Sequence, residues 1–194
     1  MKAIYGVALA ALMVAGCNDN KAGTPASDAL DANSVTTNVA HTTPETAPPP
    51  AAPTDAASYL AKAGAGDLFE IESSRAVIAK NPDKAVRDFA QMMIEAHTQS
   101  TAKLKAAATA AGLTVAQPSL DPAQQTQLDA IKSAEGAGAV TAYLAAQREA
   151  HTAALALHRG YADGGDTAQL KTAAGQIVTV VQHHIDMLGK LPGA

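Results

Sequence analysis

Of the six histidines in this 194-residue chain, four interrupt apolar runs at helical spacing: His97, His151, His158 and His184. His97 shares a seven-residue repeat with Ala90, Leu104 and Ala111, while His184 stands among Leu170, Ala174, Ile177, Val181, Leu188 and Leu191. Steps of three and four keep residues on one helix face, so these imidazoles point where leucine would otherwise go. Glu70 sits similarly, in the row of Ala63 and Val77 beside Leu60, Gly64, Ile71 and Ile78. Neutral imidazoles and a carboxylate are ligands for transition metals, and a buried level spares them competition from water. Glu70, His97, His151 and His184 are therefore the candidate metal ligands, for Zn, Fe, Cu, Mn or Ni, because imidazoles without thiolates do not select one metal. The competing expectation is a hydrogen-bonded core in which the histidines satisfy one another and Glu70, giving a non-catalytic structural or interaction module.

Other chemistries are less well supported. Di-iron carboxylate bundles place Glu three residues before a histidine, and here those positions are Ile94, Arg148 and Val181. Glu95 and Glu149 precede their histidines by two, which turns them about 200° around the helix, toward solvent. His183 falls off the apolar stripe of its helix, and His41 lies in a polar, proline-containing stretch. Covalent haem needs Cys-X-X-Cys-His, which is absent; His158, one heptad beyond His151, extends the polar level or serves a noncovalent haem. No nucleophile with a base, phosphate loop or pair of acid carboxylates stands at recognisable spacing, so no catalytic residue is assigned.

The elements that must position these side chains are bounded by Asn81-Pro82-Asp83, Gly112 to Pro122, Gly136-Ala137-Gly138 and Asp163-Gly164-Gly165-Asp166. Four long helices and a short one, about Pro122 to Ala134, lie between these breaks. Asn81 or Asp166 is expected to cap a helix, with Pro82 at a first helical position. In the first helix Leu60, Gly64, Ile71 and Ile78 mark the expected buried face; in the third, Val140, Leu144, Gln147, His151, Ala154 and His158 do. Glu70 lies 11 residues before Asn81 and His97 16 after it, so their depths below that turn differ by about 8 Å, a gap that reach and tilt can close. Short turns make antiparallel pairs, and the long middle connection leaves room for a crossover. Aromatic residues make up 3% of the chain, so Ala, Leu, Val, Ile and Met are expected to fill the interior.

Composition shifts sharply near residue 55. Lys2, the apolar run from Ala3 to Ala15 and the ending Val14-Ala15-Gly16-Cys17 resemble a bacterial lipoprotein signal, residues 1–16, cut before a lipidated Cys17. Thirteen apolar residues are too few to span a hydrocarbon layer of about 30 Å. Residues 17–55, rich in Thr, Ala and Pro, read as a disordered tether that reaches on the order of 35 Å, and residues 56–194 as the folded domain. A lipid on Cys17 makes the membrane the expected partner, and Asn18 directly after it favours an outer-membrane lipoprotein facing the periplasm of a Gram-negative envelope. Between residues 56 and 194, 12 Lys and Arg oppose 13 Asp and Glu, so no basic excess recommends nucleic acid. Cys17 is the single cysteine, which rules out disulfides and thiolate metal sites in the domain.

The segments Gly64-Ala65-Gly66-Asp67-Leu68-Phe69-Glu70-Ile71, Phe89-Ala90-Gln91-Met92-Met93-Ile94-Glu95-Ala96-His97-Thr98, Glu149-Ala150-His151 and His184-Ile185 together resemble one family. It is the bacterial ferritin-like family of outer-membrane proteins known as domain of unknown function 4142, and the likeness runs from about Ala56 to Leu191. The resemblance implies an all-α, ferritin-like four-helix bundle, here with an extra short helix in the middle connection, and no established reaction. It also implies an Asp before the histidines of the second and third helices, where this chain has Ala96 and Ala150.

Overall fold

The computed structural model describes residues 51–193. Cys17, the signal-like segment before it and His41 lie outside them. Five helices follow in order: α1 (Ala56–Ala79), α2 (Lys84–Ala110), α3 (Pro122–Ser133), α4 (Gly136–Gly164) and α5 (Ala168–Leu188), with no strand among the described residues. The domain is thus an all-helical bundle.

Side-chain caps start three of the helices. Asp55 accepts from the Ser58 N–H at 2.8 Å, Asp83 from Val86 at 3.2 Å, and Asp121 from Gln124 at 2.9 Å in a reciprocal box. The expected cap Asn81 instead follows the end of α1 with φ 53°, so Pro82 precedes the cap of α2 and is not in the helix. Asp166 does not cap α5 either. Its carboxylate accepts from the Tyr161 hydroxyl at 2.9 Å and the Ala56 N–H at 3.3 Å, clamping the start of α1 to the α4–α5 turn. Gly136-Ala137-Gly138 opens α4 where a break was expected. At the end of α2, Gly112 at φ 73° lets Leu113 N–H reach the Ala108 carbonyl at 2.9 Å and turns the chain into the long connection.

Cross-helix partners fix the topology. Tyr59, Glu70 and Ser74 of α1 meet His158, Gln147 and Tyr143 of α4 in descending order, so these helices are antiparallel. The connections from α1 to α2 and from α4 to α5 are only a few residues long, so each packed pair is antiparallel, with Asp67 meeting His97 and His151 meeting His184. α1 therefore packs on α2 and α4, α5 packs on the same two, and α3 lies against α1 and α4. Since α2 and α4 run the same way, the segment between them must travel the length of the bundle, and it passes Gly64, where an added Cβ would lie 3.2 Å from Pro118.

Two apolar clusters fill the interior. One gathers Tyr59, Leu60, Leu104, Tyr161, Leu170, Ile177 and Val181; the other gathers Phe69, Val77, Phe89, Met93, Ile131, Tyr143, Leu144 and Leu188. Ala, Leu, Val, Ile and Met fill most of the interior as composition implies, and every Tyr and Phe among the described residues is buried with them. Each buried tyrosine hydroxyl has a partner, which removes the penalty for placing it there. The α1 face differs from the expected one. Ile71 and Ile78 are only partly buried, whereas Asp67, Glu70, Ser73 and Ser74 are buried. Asp67 and Glu70 fall at the level of the histidines, while Ser74 bonds the Tyr143 hydroxyl within the second cluster.

Candidate metal centre

Three helices each deliver one histidine to that level. His97 on α2 follows Met93 and precedes Leu104, His151 on α4 follows Leu144, and His184 on α5 lies between Val181 and Leu188; all three are buried. Their apolar neighbours on the same face turn each imidazole inward. Ring centroids stand 5.7 Å apart for His97 and His151, 5.6 Å for His97 and His184, and 5.4 Å for His151 and His184. One ring nitrogen from each lies within 4.8 Å of the others. Three points so spaced lie within about 2.8 Å of a common centre, so each nitrogen needs to move inward by at most about 0.7 Å to reach a metal–nitrogen distance of 2.0–2.1 Å. That is within the range of small torsional adjustments.

α1 supplies what stands behind two of the rings. Asp67 Oδ1 accepts from His97 Nδ1–H at 2.9 Å, and its other oxygen accepts from the Thr101 hydroxyl at 2.9 Å. One turn on, Glu70 Oε1 lies 3.3 Å from His151 Nδ1, which also donates to the Gln147 carbonyl at 2.9 Å. The Gln147 amide donates to Glu70 Oε2 and, at 3.3 Å, to Ser73 Oγ. With Nδ1 protonated and held, His97 and His151 each present Nε2 as the free lone pair, the arrangement that carboxylates impose on metal-binding imidazoles. His97 Nε2 is buried and has no hydrogen-bond partner. His151 Nε2 faces His184 Nδ1 at 3.3 Å.

Of the four candidates, the fold brings the three imidazoles to one point. Glu70 reaches the same level but stands on the far side of the His151 ring from His184. The Ala96 and Ala150 positions leave no acidic neighbour in sequence, and the carboxylates come from α1 instead. Asp67 is the functional neighbour that helical periodicity missed, whereas Gln147 stands on the buried face that periodicity marked. Depth carried a signal for Asp67: it lies 14 residues before Asn81 against 16 after for His97, a mismatch of only about 3 Å.

Burial opposes a charge on Glu70, but His151, His97 and the Gln147 amide outweigh it and hold its carboxyl below the ordinary range. Burial also opposes a charge on His151, and the adjacent Glu70 carboxylate overcomes this and raises its pKa. His184 has no such support: burial, then the two neighbouring histidines, push it down to about 3. A proton shared across the 3.3 Å contact between His151 Nε2 and His184 Nδ1 would compete with a metal ion for the same lone pairs.

Outside this group, Glu95, Glu149 and His183 are exposed. His158 is buried beside Tyr59, whose hydroxyl lies 2.9 Å from its Nδ1, and burial pushes its pKa down to about 4. Tyr59 in turn stacks on Tyr161 at 3.8 Å. This chain of contacts leads to Asp166 and away from the three-histidine cluster.

Fold and site together define a helical-bundle domain with a buried histidine cluster backed by carboxylates. More particularly, the chain belongs to the family described as Domain of unknown function (DUF4142), whose model matches residues 41–191. Among solved structures it is similar to the crystal structure of a DUF305 fragment from Deinococcus radiodurans, with 17% identity and a TM-score of 0.61 over 74% of this chain and 100% of that one. At that identity the likeness concerns the helical fold alone. No curated protein matches the sequence.

Proposed function

We propose that this protein is an envelope lipoprotein, anchored through a lipid on Cys17, whose ferritin-like bundle binds one transition-metal ion through His97, His151 and His184. The observation that carries the metal reading is the convergence of three buried ring nitrogens within 4.8 Å. Asp67 and Glu70 then orient the rings from behind, and Glu70 is assigned that role in preference to direct ligation because His151 Nδ1, not the cluster centre, is its neighbour. Three imidazoles suit Zn, Cu, Fe, Mn or Ni. The ferritin-like assignment draws on the parallel course of α2 and α4 and the lengthwise connection between them. The lipid anchor and outer-membrane placement rest on the sequence from Lys2 to Asn18.

Elemental analysis of protein purified without chelator, beside the double variant His97→Ala/His184→Ala, tests the metal site. Near-stoichiometric metal in the first and none in the second is expected; equal trace metal in both ends the proposal. For the anchor, Cys17→Ser is expected to move the protein from the membrane to the soluble envelope fraction. A second reading, a metal-free hydrogen-bonded core, draws on the His151–His184 contact of 3.3 Å. It leaves His97 Nε2 unexplained, and it requires thermal stability to be indifferent to metal and chelator.

A further inference from the structure

A three-histidine centre needs at least one more ligand, and the surroundings indicate where it comes from. Among the described residues no carboxylate joins the group whose ligand atoms lie within 4.8 Å of one another. His97 and His184 line a cavity of about 880 Å³, while His151 is not part of its wall. Leu104, Ile177 and Val181 make much of that wall apolar. Two buried polar atoms on lining residues have no partner: His97 Nε2 and Ser100 Oγ. Ser100 is 9% exposed and His97 6%.

These two atoms belong together. Ser100 follows His97 by three residues on α2, and residues so spaced lie on one face with Cβ atoms about 5–6 Å apart. An ion on His97 Nε2 would bring a ligand of one to three atoms within reach of the Ser100 hydroxyl. Unsatisfied buried polar atoms are rare in folded proteins, and each calls for a missing partner.

We propose that the metal ion has one exchangeable position facing this cavity, filled by solvent-derived hydroxide and open to small monovalent anions, which the Ser100 O–H holds by donating a hydrogen bond. This rests on the metal-binding reading of His97, His151 and His184. The apolar wall favours such an anion on the metal, because attraction between the ion and its ligand is screened less there than in water. It also separates this centre from a closed structural site, in which protein atoms fill every position. Ligand exchange at this position requires no redox partner.

Cobalt(II) and azide test the inference on the full chain. Cobalt(II) bound by three imidazoles and solvent is expected to give the visible bands of a four-coordinate centre, and azide is expected to shift them saturably. In Ser100→Ala, measured at saturating cobalt, the azide dissociation constant is expected to rise about tenfold, as for loss of a hydrogen bond to a charged acceptor. Bound cobalt whose spectrum ignores azide would show that the fourth position is closed, and would overturn this inference while leaving the metal site intact. An azide shift of equal affinity in Ser100→Ala would overturn the role of Ser100. Failure to take up cobalt, zinc or copper at all removes the underlying metal reading, and the inference with it.

Discussion

Asp67→Asn isolates the contribution of a buried charge to the proposed site. Asparagine keeps an oxygen that accepts from His97 Nδ1–H, now 2.9 Å from Asp67 Oδ1, and its amide can turn to the Thr101 hydroxyl on the other side. What disappears is the negative charge. Adding the imidazole width and a metal–nitrogen bond of about 2.0 Å puts the carboxylate roughly 7 Å from the ion. At an effective dielectric of 20, a unit charge and a divalent ion at that distance attract by about 5 kcal/mol, which is a ceiling. Relaxation and the retained hydrogen bond reduce it, and loss of a partner behind a ligand usually weakens metal affinity by about 10- to 100-fold, or roughly 1.4–2.7 kcal/mol. Competition against a chromophoric chelator at fixed pH and salt reads this directly. Glu95→Gln is the charge-matched control, since Glu95 is exposed on the opposite side of α2, and it should stay within about twofold of the parent. The reasoning is refuted if Asp67→Asn also binds within twofold while His97→Ala loses the metal.

Metal binding at 100 times its dissociation constant should add about 2.7 kcal/mol of stability, and so raise the unfolding temperature by about 10 °C in a calorimetric scan, a gain that chelator removes. In the metal-free protein His158 stays neutral to about pH 4, whereas unfolded it takes up a proton near 6.5. Its contribution is complete above 6.5 and is lost as pH falls toward 4, at up to about 1.4 kcal/mol per pH unit. Urea unfolding of His158→Gln from pH 7 to 4.5 should therefore slope less steeply than the parent, and parallel curves would contradict the burial argument. Tyr59→Phe strips the 2.9 Å partner from His158 Nδ1; a loss of about 1–3 kcal/mol is expected in the same assay, and none if water replaces the hydroxyl.

Legibility differed from helix to helix for a physical reason. On α2, α4 and α5 the buried stripe is mostly apolar, interrupted by His97 on α2, His151 and His158 on α4 and His184 on α5, so hydrophobic spacing found both the stripe and these exceptions. α1 turns Asp67, Glu70, Ser73 and Ser74 inward, and such residues read as solvated until their partners are known. Those partners are remote in sequence: His97 is 30 residues from Asp67 and Tyr143 is 69 from Ser74. Periodicity within a helix carries no information about pairings at that range. Depth arithmetic across a turn does carry some, and it favoured Asp67 over Glu70 as the neighbour of His97. Caps failed for another reason: Asn81 suits a helix start by type, but the left-handed residue that ends α1 took it, leaving Asp83 for α2.

The two buried carboxylates bear on the proposed metal centre through charge balance. Asp67 and Glu70 bring two formal negative charges into a layer bounded by apolar clusters above and below, with no lysine or arginine among the buried residues there. Buried ions are tolerated when they are paired, and a packed hydrophobic layer of similar volume is commonly as stable or more so. His97 lies 2.9 Å from Asp67 and His151 3.3 Å from Glu70, so each carboxylate has an imidazole beside it. A divalent ion on the three imidazoles would compensate both carboxylates at once, which is the part Asp67 and Glu70 take in the proposed metal centre.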